Sequence, residues 1–195
     1  MKVRAVDRRV QRTRQLLRTA LMSLIQEKGF ESSSVQDIID RANVGRATFY
    51  AHFDSKEDLL ASGIDELRAS LRERQHQALS STTADDRLFA FSCELFVHAD
   101  AHRTVFRAMV GKRSGAVVQQ LLHKMLVDLV REELKLMSPT SRATETPAEA
   151  IAQFIGGGLF GLLIWWANGK MRMPVKEVDA VVRRLAIPAV KAAVS

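Results

Sequence analysis

Several side chains that can recognise nucleic acid follow one another between residues 46 and 52. Arg46 carries a guanidinium that can bind the N7 and O6 atoms of guanine in a major groove. Ala47 and Thr48 are small enough to let a helix approach the bases, and either can contact a thymine methyl group. Tyr50 and His52 can donate hydrogen bonds to phosphate. This combination predicts a surface that reads double-stranded DNA.

The surrounding pattern predicts the elements that position these side chains. Apolar residues at helical spacing predict a long helix over 8–28, a short helix over 35–42 and a second short helix over 46–52. Only three residues, 43–45, separate the two short helices. Two short helices joined by a tight turn behind a longer helix are typical of a helix-turn-helix DNA reader. The alternative is an ordinary helical hairpin in which the aromatic residues only pack.

The ends of the short helices carry suitable capping residues. Ser34, with Asp37 three residues later, is a variant of the capping box that begins a helix. Asn43 adopts the left-handed backbone conformation more readily than most residues do, which suits the turn. Gly45 is an acceptable, weaker cap for the second helix. Ser55 and Asp58 predict the start of a further helix, over about 56–79.

The charge of the chain is concentrated at its start. The 195 residues include 29 Lys and Arg and 22 Asp and Glu, giving a net charge of +7. Residues 1–18 contain seven of the basic residues and one acidic residue, and so account for most of that charge. Such a segment indicates a polyanionic partner, the alternative being a solvated tail. No apolar segment follows it as in a signal peptide, and we expect a cytoplasmic protein.

Residues 13–60 resemble the N-terminal domain of the TetR-type, tetracycline-repressor-like transcriptional regulators. The resemblance is carried by Thr48-Phe49-Tyr50-Ala51-His52-Phe53 and by Ser55-Lys56-Glu57-Asp58-Leu59. It implies an all-α fold of about nine helices, a homodimer and a pocket for a small effector in the C-terminal part. It also implies DNA contacts by Ser34, Gln36, Arg46, Ala47, Thr48, Tyr50, His52 and Lys56. The chain departs from the family where Gly and then Ser are usual, because it has Asn43 and Gly45, and any phosphate contact by that Ser is lost.

The rest of the chain is predicted to be helical as well, and strand patterns are scarce. We expect helices near 85–98, 102–110, 114–137, 147–168 and 175–193, with a kink near Pro188. A polar loop is expected over 138–146. The predicted domains are a helix-turn-helix domain, 1–55, and a helical effector-binding and dimerisation domain, 56–195.

The uncharged segment 150–169 has two interpretations. Its length is close to that of a transmembrane helix, but five glycines, Gln153 and Asn168 favour a helix buried in protein. We therefore expect no membrane partner. Glycines weaken a helix, and their clustering suggests either close packing between two subunits or space for a ligand. By the family resemblance the last two helices form the dimer interface, with candidates Gly157, Gly161, Leu162, Val178, Val182 and Leu185.

Apolar and aromatic residues of the C-terminal part are candidates for lining an effector pocket, although most such residues only form core. The candidates are Phe89, Phe96, Phe106, Met109, Met125, Phe154 and Trp165, which suggests an apolar or aromatic effector. His98 and His102, with His123, have a spacing that can hold a metal, but isolated histidine pairs more often have other roles, and no metal or cofactor is predicted.

Together these features predict a ligand-responsive transcriptional regulator, a repressor released from a palindromic operator by a small effector. The alternative is a DNA-binding protein of the same fold that has no effector and acts as an architectural or division-linked factor. An enzyme is a third possibility, against which stands the lack of any catalytic motif in the sequence.

Overall fold

A computed structural model describes residues 2–78, 88–110, 116–137, 147–169 and 172–194. These residues form nine α-helices, and none of them lies in a β-strand. The helices are α1 (Lys2–Lys28), α2 (Val35–Ala42), α3 (Arg46–Tyr50), α4 (Lys56–Ala78), α5 (Ala90–Ala101), α6 (Arg103–Val110), α7 (Ala116–Met137), α8 (Ala148–Asn168) and α9 (Val175–Val194). The all-α prediction is confirmed.

Helix α1 begins six residues earlier than its apolar pattern predicts. The pattern starts at residue 8, whereas the helix starts at Lys2. The segment 2–7 contains three charged and three apolar residues, and among them Ala, Arg and Lys are good helix formers. Residues 2–18 of the basic segment are therefore part of a helix.

The chain divides into two compact units. Unit 1 contains residues 1–64 and 104–119, and unit 2 contains residues 65–103 and 120–195. The first division falls inside α4, nine residues after the predicted boundary at residue 55, and α6 belongs to unit 1 from Thr104 onward.

Unit 1 is built around the apolar stripe of α1, against which α2 packs. The side chains of Leu17, Leu21 and Ile25 from α1 are buried together with Ile38 of α2 and Phe49 of α3. Because α2 and α3 are too short to be stable alone, this burial is what holds them in place.

Unit 2 is a bundle in which α9 packs against α5 and α8. Its core is rich in aromatic and branched residues, among them Phe89, Phe91, Phe96, Leu163 and Trp166. Pro188 lies inside α9, which continues to Val194. The break expected between the helices over 102–110 and 114–137, and the predicted loop 138–146, lie outside the described residues.

Helix α8 is long and apolar enough to cross a membrane by length and composition alone. In the structure it is a helix of unit 2, and 44% of its most apolar window is buried against protein. Core helices of soluble proteins pass the same test, so the segment is weak evidence for a membrane span.

Candidate nucleic-acid interface

The start of α2 is fixed by the predicted capping box. The Asp37 amide donates to Ser34 Oγ at 3.1 Å, and the Ser34 amide donates to Asp37 Oδ2 at 2.7 Å. Hydrogen bonds from Ser34, and the Lys28 ammonium 2.9 Å away, hold the pKa of the Asp37 carboxyl well below its usual range. The carboxylate is therefore ionised at neutral pH, and both partners of the cap are in their bonding form.

The turn between α2 and α3 has the backbone conformation that its residues predict. Asn43 is left-handed, with φ 51° and ψ 51°, and its amide donates to the carbonyl of Asp40 at 3.2 Å. Gly45 is extended, with φ −73° and ψ 151°, and makes no side-chain cap to α3. A Cβ atom at Gly45 would meet only Thr48 Oγ1, at 3.7 Å, so the fold itself does not require glycine there.

Helix α3 is anchored by one side and open on the other. Phe49 is 0% exposed and Phe53, just after the helix, is also buried, with their ring centroids 6.2 Å apart. Arg46, Ala47 and Tyr50 are exposed, and Thr48 is half-buried. We call these four residues the recognition face. The structure thus brings together the residues predicted to enter the groove.

Arg46 and Tyr50 interact within the recognition face. The guanidinium carbon of Arg46 lies 5.5 Å from the centroid of the Tyr50 ring, one helical turn later. This is the geometry of a cation–π interaction.

Three other predicted DNA contacts already have protein partners. Ser34 belongs to the capping box, and Gln36 Nε2 donates to Asp40 Oδ1 at 2.8 Å. Lys56 Nζ donates to the carbonyls of Phe30, Glu31 and Ser33 at 3.1, 3.3 and 2.9 Å, and it lies 4.6 Å from the centroid of the Phe30 ring. An ammonium has three donors, so Lys56 uses all of them on the α1–α2 loop. His52 is half-buried, with its ring beside that of Phe53.

The basic residues of α1 have different environments. Arg8, Arg9 and Arg12 are exposed. The guanidinium of Arg14 lies 5.2 Å from the centroid of the Phe53 ring, and Arg18 is buried. Among the described side chains of the basic segment, the exposed charge therefore lies before residue 14, because the last two arginines pack into unit 1.

The candidate pocket residues have different environments. Phe89, Phe96 and Met125 are buried in unit 2, whereas Phe106 and Met109 are buried in unit 1. Phe154 and Trp165 are 74% and 56% exposed, and therefore lie on the surface of the chain rather than lining a cavity within it.

The candidate interface residues also differ in their exposure. Val178 and Val182 were predicted to face a second subunit, but both are buried in the core of unit 2 and leave no surface for a partner. Leu185 is 66% exposed, Gly161 is exposed, and Gly157 and Leu162 are half-buried.

The sequence reasoning missed an exposed apolar stripe on α8. Phe154, Gly158, Gly161 and Trp165 recur at intervals of four, three and four residues, which places them on one face of the helix. All four are exposed, and a Cβ atom at either glycine would have no neighbour within 4 Å. The interval was visible in the sequence, but both aromatic residues were assigned to a pocket. We call this set the α8 stripe.

The three histidines whose spacing was considered for a metal site have different neighbours. The rings of His98 and His102 lie 4.7 Å apart, whereas His123 packs against Phe160. Over the described ranges, no three His, Cys, Asp or Glu side chains come close enough together to hold a metal ion.

Comparison with known proteins gives two family matches. Residues 17–62 match the family described as "Bacterial regulatory proteins, tetR family", and residues 86–187 match "Transcriptional regulator C-terminal region" of the same family. A relative named "Uncharacterized HTH-type transcriptional regulator YxbF", from Bacillus subtilis (strain 168), is 41% identical over 64 residues. That match covers 32% of this chain and 17% of the relative.

Solved structures share the fold over nearly the whole chain. A crystal structure of a putative TetR-family transcriptional regulator from Syntrophomonas wolfei has a TM-score of 0.73 and 21% identity, and the match covers 92% of this chain and 95% of that one. The transcriptional regulator FadR from Bacillus subtilis, solved in complex with stearoyl-CoA, has a TM-score of 0.68 and 17% identity, with 90% and 98% covered.

Proposed function

Since the chain belongs to the TetR family of bacterial regulatory proteins, we propose that it is a dimeric transcriptional repressor that binds a near-palindromic operator through α3 of each subunit. The observation that carries this proposal is the recognition face, a polar and exposed surface fixed to the core by Phe49. Such a helix can enter a major groove without rearrangement of the domain.

The exposed residues of α3 have separate roles in this proposal. The guanidinium of Arg46 binds guanine, and the small side chains of Ala47 and Thr48 pack against the base edges. Tyr50 and His52, with Ser34 and Gln36 at the start of α2, lie against the DNA backbone. Lys56 acts indirectly, because its ammonium holds the loop that precedes Ser34.

The second subunit, we infer, covers the α8 stripe and Leu185. These are large apolar side chains that a single chain leaves in water. The exposed glycines between Phe154 and Trp165 allow a partner helix to approach closely. In this proposal the α3 helix of each subunit contacts one of two successive major grooves of the operator, whose centres lie about 34–36 Å apart.

We further propose that an apolar small molecule bound in unit 2 releases the operator. Support comes from the aromatic residues in this unit, Phe89, Phe91, Phe96 and Trp166, and from the FadR structure with stearoyl-CoA. An effector lowers the DNA affinity only to the extent that it binds the DNA-free conformation more tightly than the DNA-bound conformation. The alternative is a DNA-binding protein of the same fold without an effector.

Selection from random duplex DNA tests the proposal. The purified protein is expected to enrich a near-palindromic sequence, and footprinting should protect two half-sites about one helical turn apart. Failure to enrich any sequence at moderate salt would contradict the proposed function. Long-chain acyl-CoAs and simple phenols are then tested for release of the enriched duplex. Release by one of them supports a repressor with an effector, and release by none supports the alternative without an effector.

A further inference from the structure

We propose that Tyr50 is a positioning residue, whose ring holds the Arg46 guanidinium in the orientation from which it contacts a base. This inference rests on the proposed function, in which Arg46 reads guanine. It gives Tyr50 a role in sequence discrimination, in addition to the backbone contact proposed above.

The geometry links Arg46 to the core through two aromatic rings. The guanidinium carbon lies 5.5 Å from the centroid of the Tyr50 ring. That ring meets Phe49 edge to face, with centroids 5.3 Å apart and an interplanar angle of 82°. Phe49 is fully buried, so the ring under the guanidinium has a fixed support.

Arg46 needs such a partner for two physical reasons. It is the first residue of α3, where the helix dipole disfavours a positive charge. An exposed arginine also has many rotamers, and a base contact requires one of them. In the part of the chain that the structure describes, no carboxylate forms an ion pair with Arg46, and its recorded contact is the Tyr50 ring.

Two substitutions at Tyr50 distinguish the role of the aromatic ring from that of the hydroxyl group. Tyr50→Phe keeps the aromatic face and removes the hydrogen-bond donor, whereas Tyr50→Leu removes both. Tyr50 is 46% exposed, so neither change opens a cavity in the core. If the ring positions Arg46, Tyr50→Phe retains base discrimination and Tyr50→Leu weakens it.

The binding experiment uses the duplex that the wild-type protein selects from a random pool. A second duplex carries a substitution at the G·C pair where Arg46→Ala abolishes discrimination. We expect Tyr50→Leu to reduce the ratio of the two dissociation constants by about two- to five-fold, the range of an exposed cation–π interaction. Tyr50→Phe should leave that ratio unchanged, and Tyr50→Leu should have no further effect on it in an Arg46→Ala background.

A measurement on the free protein tests the same contact without DNA. Protons on the Arg46 side chain should show upfield ring-current shifts in the wild-type protein and in Tyr50→Phe, and those shifts should vanish in Tyr50→Leu. Absence of the shifts in the wild type, or equal discrimination by all three proteins, overturns the inference. If no sequence is selected at all, the proposed function fails, whereas the ring-current result still decides whether the contact exists.

Discussion

At the scale of single residues, Arg46 carries the specificity of the proposed interface. The Arg46→Ala variant should bind the selected duplex more weakly by about 1–3 kcal/mol, because a bidentate contact to guanine is lost. Binding to random duplex should fall much less, since phosphate contacts supply most of it. Competition binding with both duplexes measures the difference.

Arg74→Ala is the matched control, because it removes an exposed arginine from unit 2. It should leave the ratio of specific to random binding at the wild-type value. An Arg46→Ala variant with that same wild-type ratio would show that Arg46 does not read a base.

Lys56 is a residue whose predicted and observed environments differ. It was expected on phosphate, but its ammonium lies on three carbonyls of the loop between α1 and α2. Lys56→Met should therefore lower the free energy of unfolding by about 1–3 kcal/mol, because the carbonyls lose a charged donor. Urea denaturation of the free protein measures this change.

The phosphate role predicts a different result for the same variant. If Lys56 mainly contacted DNA, its loss would leave the urea midpoint unchanged. It would instead reduce, by about 1, the slope of the logarithm of the DNA-binding constant against the logarithm of salt concentration. A Lys56→Arg variant is a useful companion, because it keeps the charge and changes the hydrogen-bond geometry.

At the scale of helices, the glycines of α8 have different roles although they are neighbours in sequence. A Cβ atom at Gly156 would lie 2.7 Å from Val127 Cγ2 and 2.8 Å from Val127 Cα, so α8 and α7 need glycine at their closest approach. At Gly157 the nearest atom is His123 Nε2, at 3.8 Å, an ordinary contact.

Alanine substitutions at these two glycines should act in opposite directions. Gly156→Ala should destabilise unit 2 by about 1–3 kcal/mol, because overpacking against the Val127 backbone outweighs the gain in helix propensity. Gly157→Ala should stabilise it by up to about 1 kcal/mol. Thermal unfolding of both variants measures these changes. Equal shifts of the melting temperature in one direction would contradict the close contact between Gly156 and Val127.

A buried carboxyl group links α4 to α7 and makes stability depend on pH. Glu133 accepts a short hydrogen bond from Gln75 Nε2, and burial raises the pKa of its carboxyl above the ordinary 4.5. The folded chain therefore binds the proton more tightly than the unfolded chain does. The resulting stabilisation is fully present below pH 4.5 and is lost as pH rises through the raised pKa.

Glu133→Gln should remove this dependence, because the amide has no charge to bury. Relative to the wild type, the variant should gain stability between pH 4.5 and 7. The carboxylates with lowered pKa values, Glu27, Asp37 and Glu149, lose their contribution as pH falls, but they are common to both proteins and cancel in the difference. Urea unfolding of both proteins at several pH values measures this effect. A difference in unfolding free energy that does not change with pH would contradict a raised pKa for the Glu133 carboxyl.

Local signals in the sequence predicted the helix-turn-helix well. The Ser34 and Asp37 box and the left-handed Asn43 depend on residues close in sequence, and both are observed. The contacts of Lys56 with residues 30–33 depend on how distant segments pack, which composition and periodicity do not encode. The direction of Phe154 and Trp165 could not be predicted either, since α8 is apolar on most of its surface.

At the scale of the whole molecule, the proposed regulator needs two copies of the chain to read a palindrome. The α8 stripe supplies a surface for that association, because Phe154 and Trp165 are large apolar side chains left in water. Phe154→Glu would place an unpaired charge inside such an interface, at a cost of about 3–5 kcal/mol to association. We therefore expect the variant to be monomeric at micromolar concentration in sedimentation equilibrium.

Operator binding should fall with dimerisation, because a monomer occupies one half-site and loses the advantage of linked binding. Val97→Glu is the matched control, since Val97 is an apolar residue of unit 2, 45% exposed, that lies outside the α8 stripe. It should leave both the association and the affinity for the selected duplex unchanged. A Phe154→Glu variant that remains dimeric and binds the operator normally would show that the second subunit binds another surface. It would also contradict the proposal that the exposed glycines allow a partner helix to approach α8.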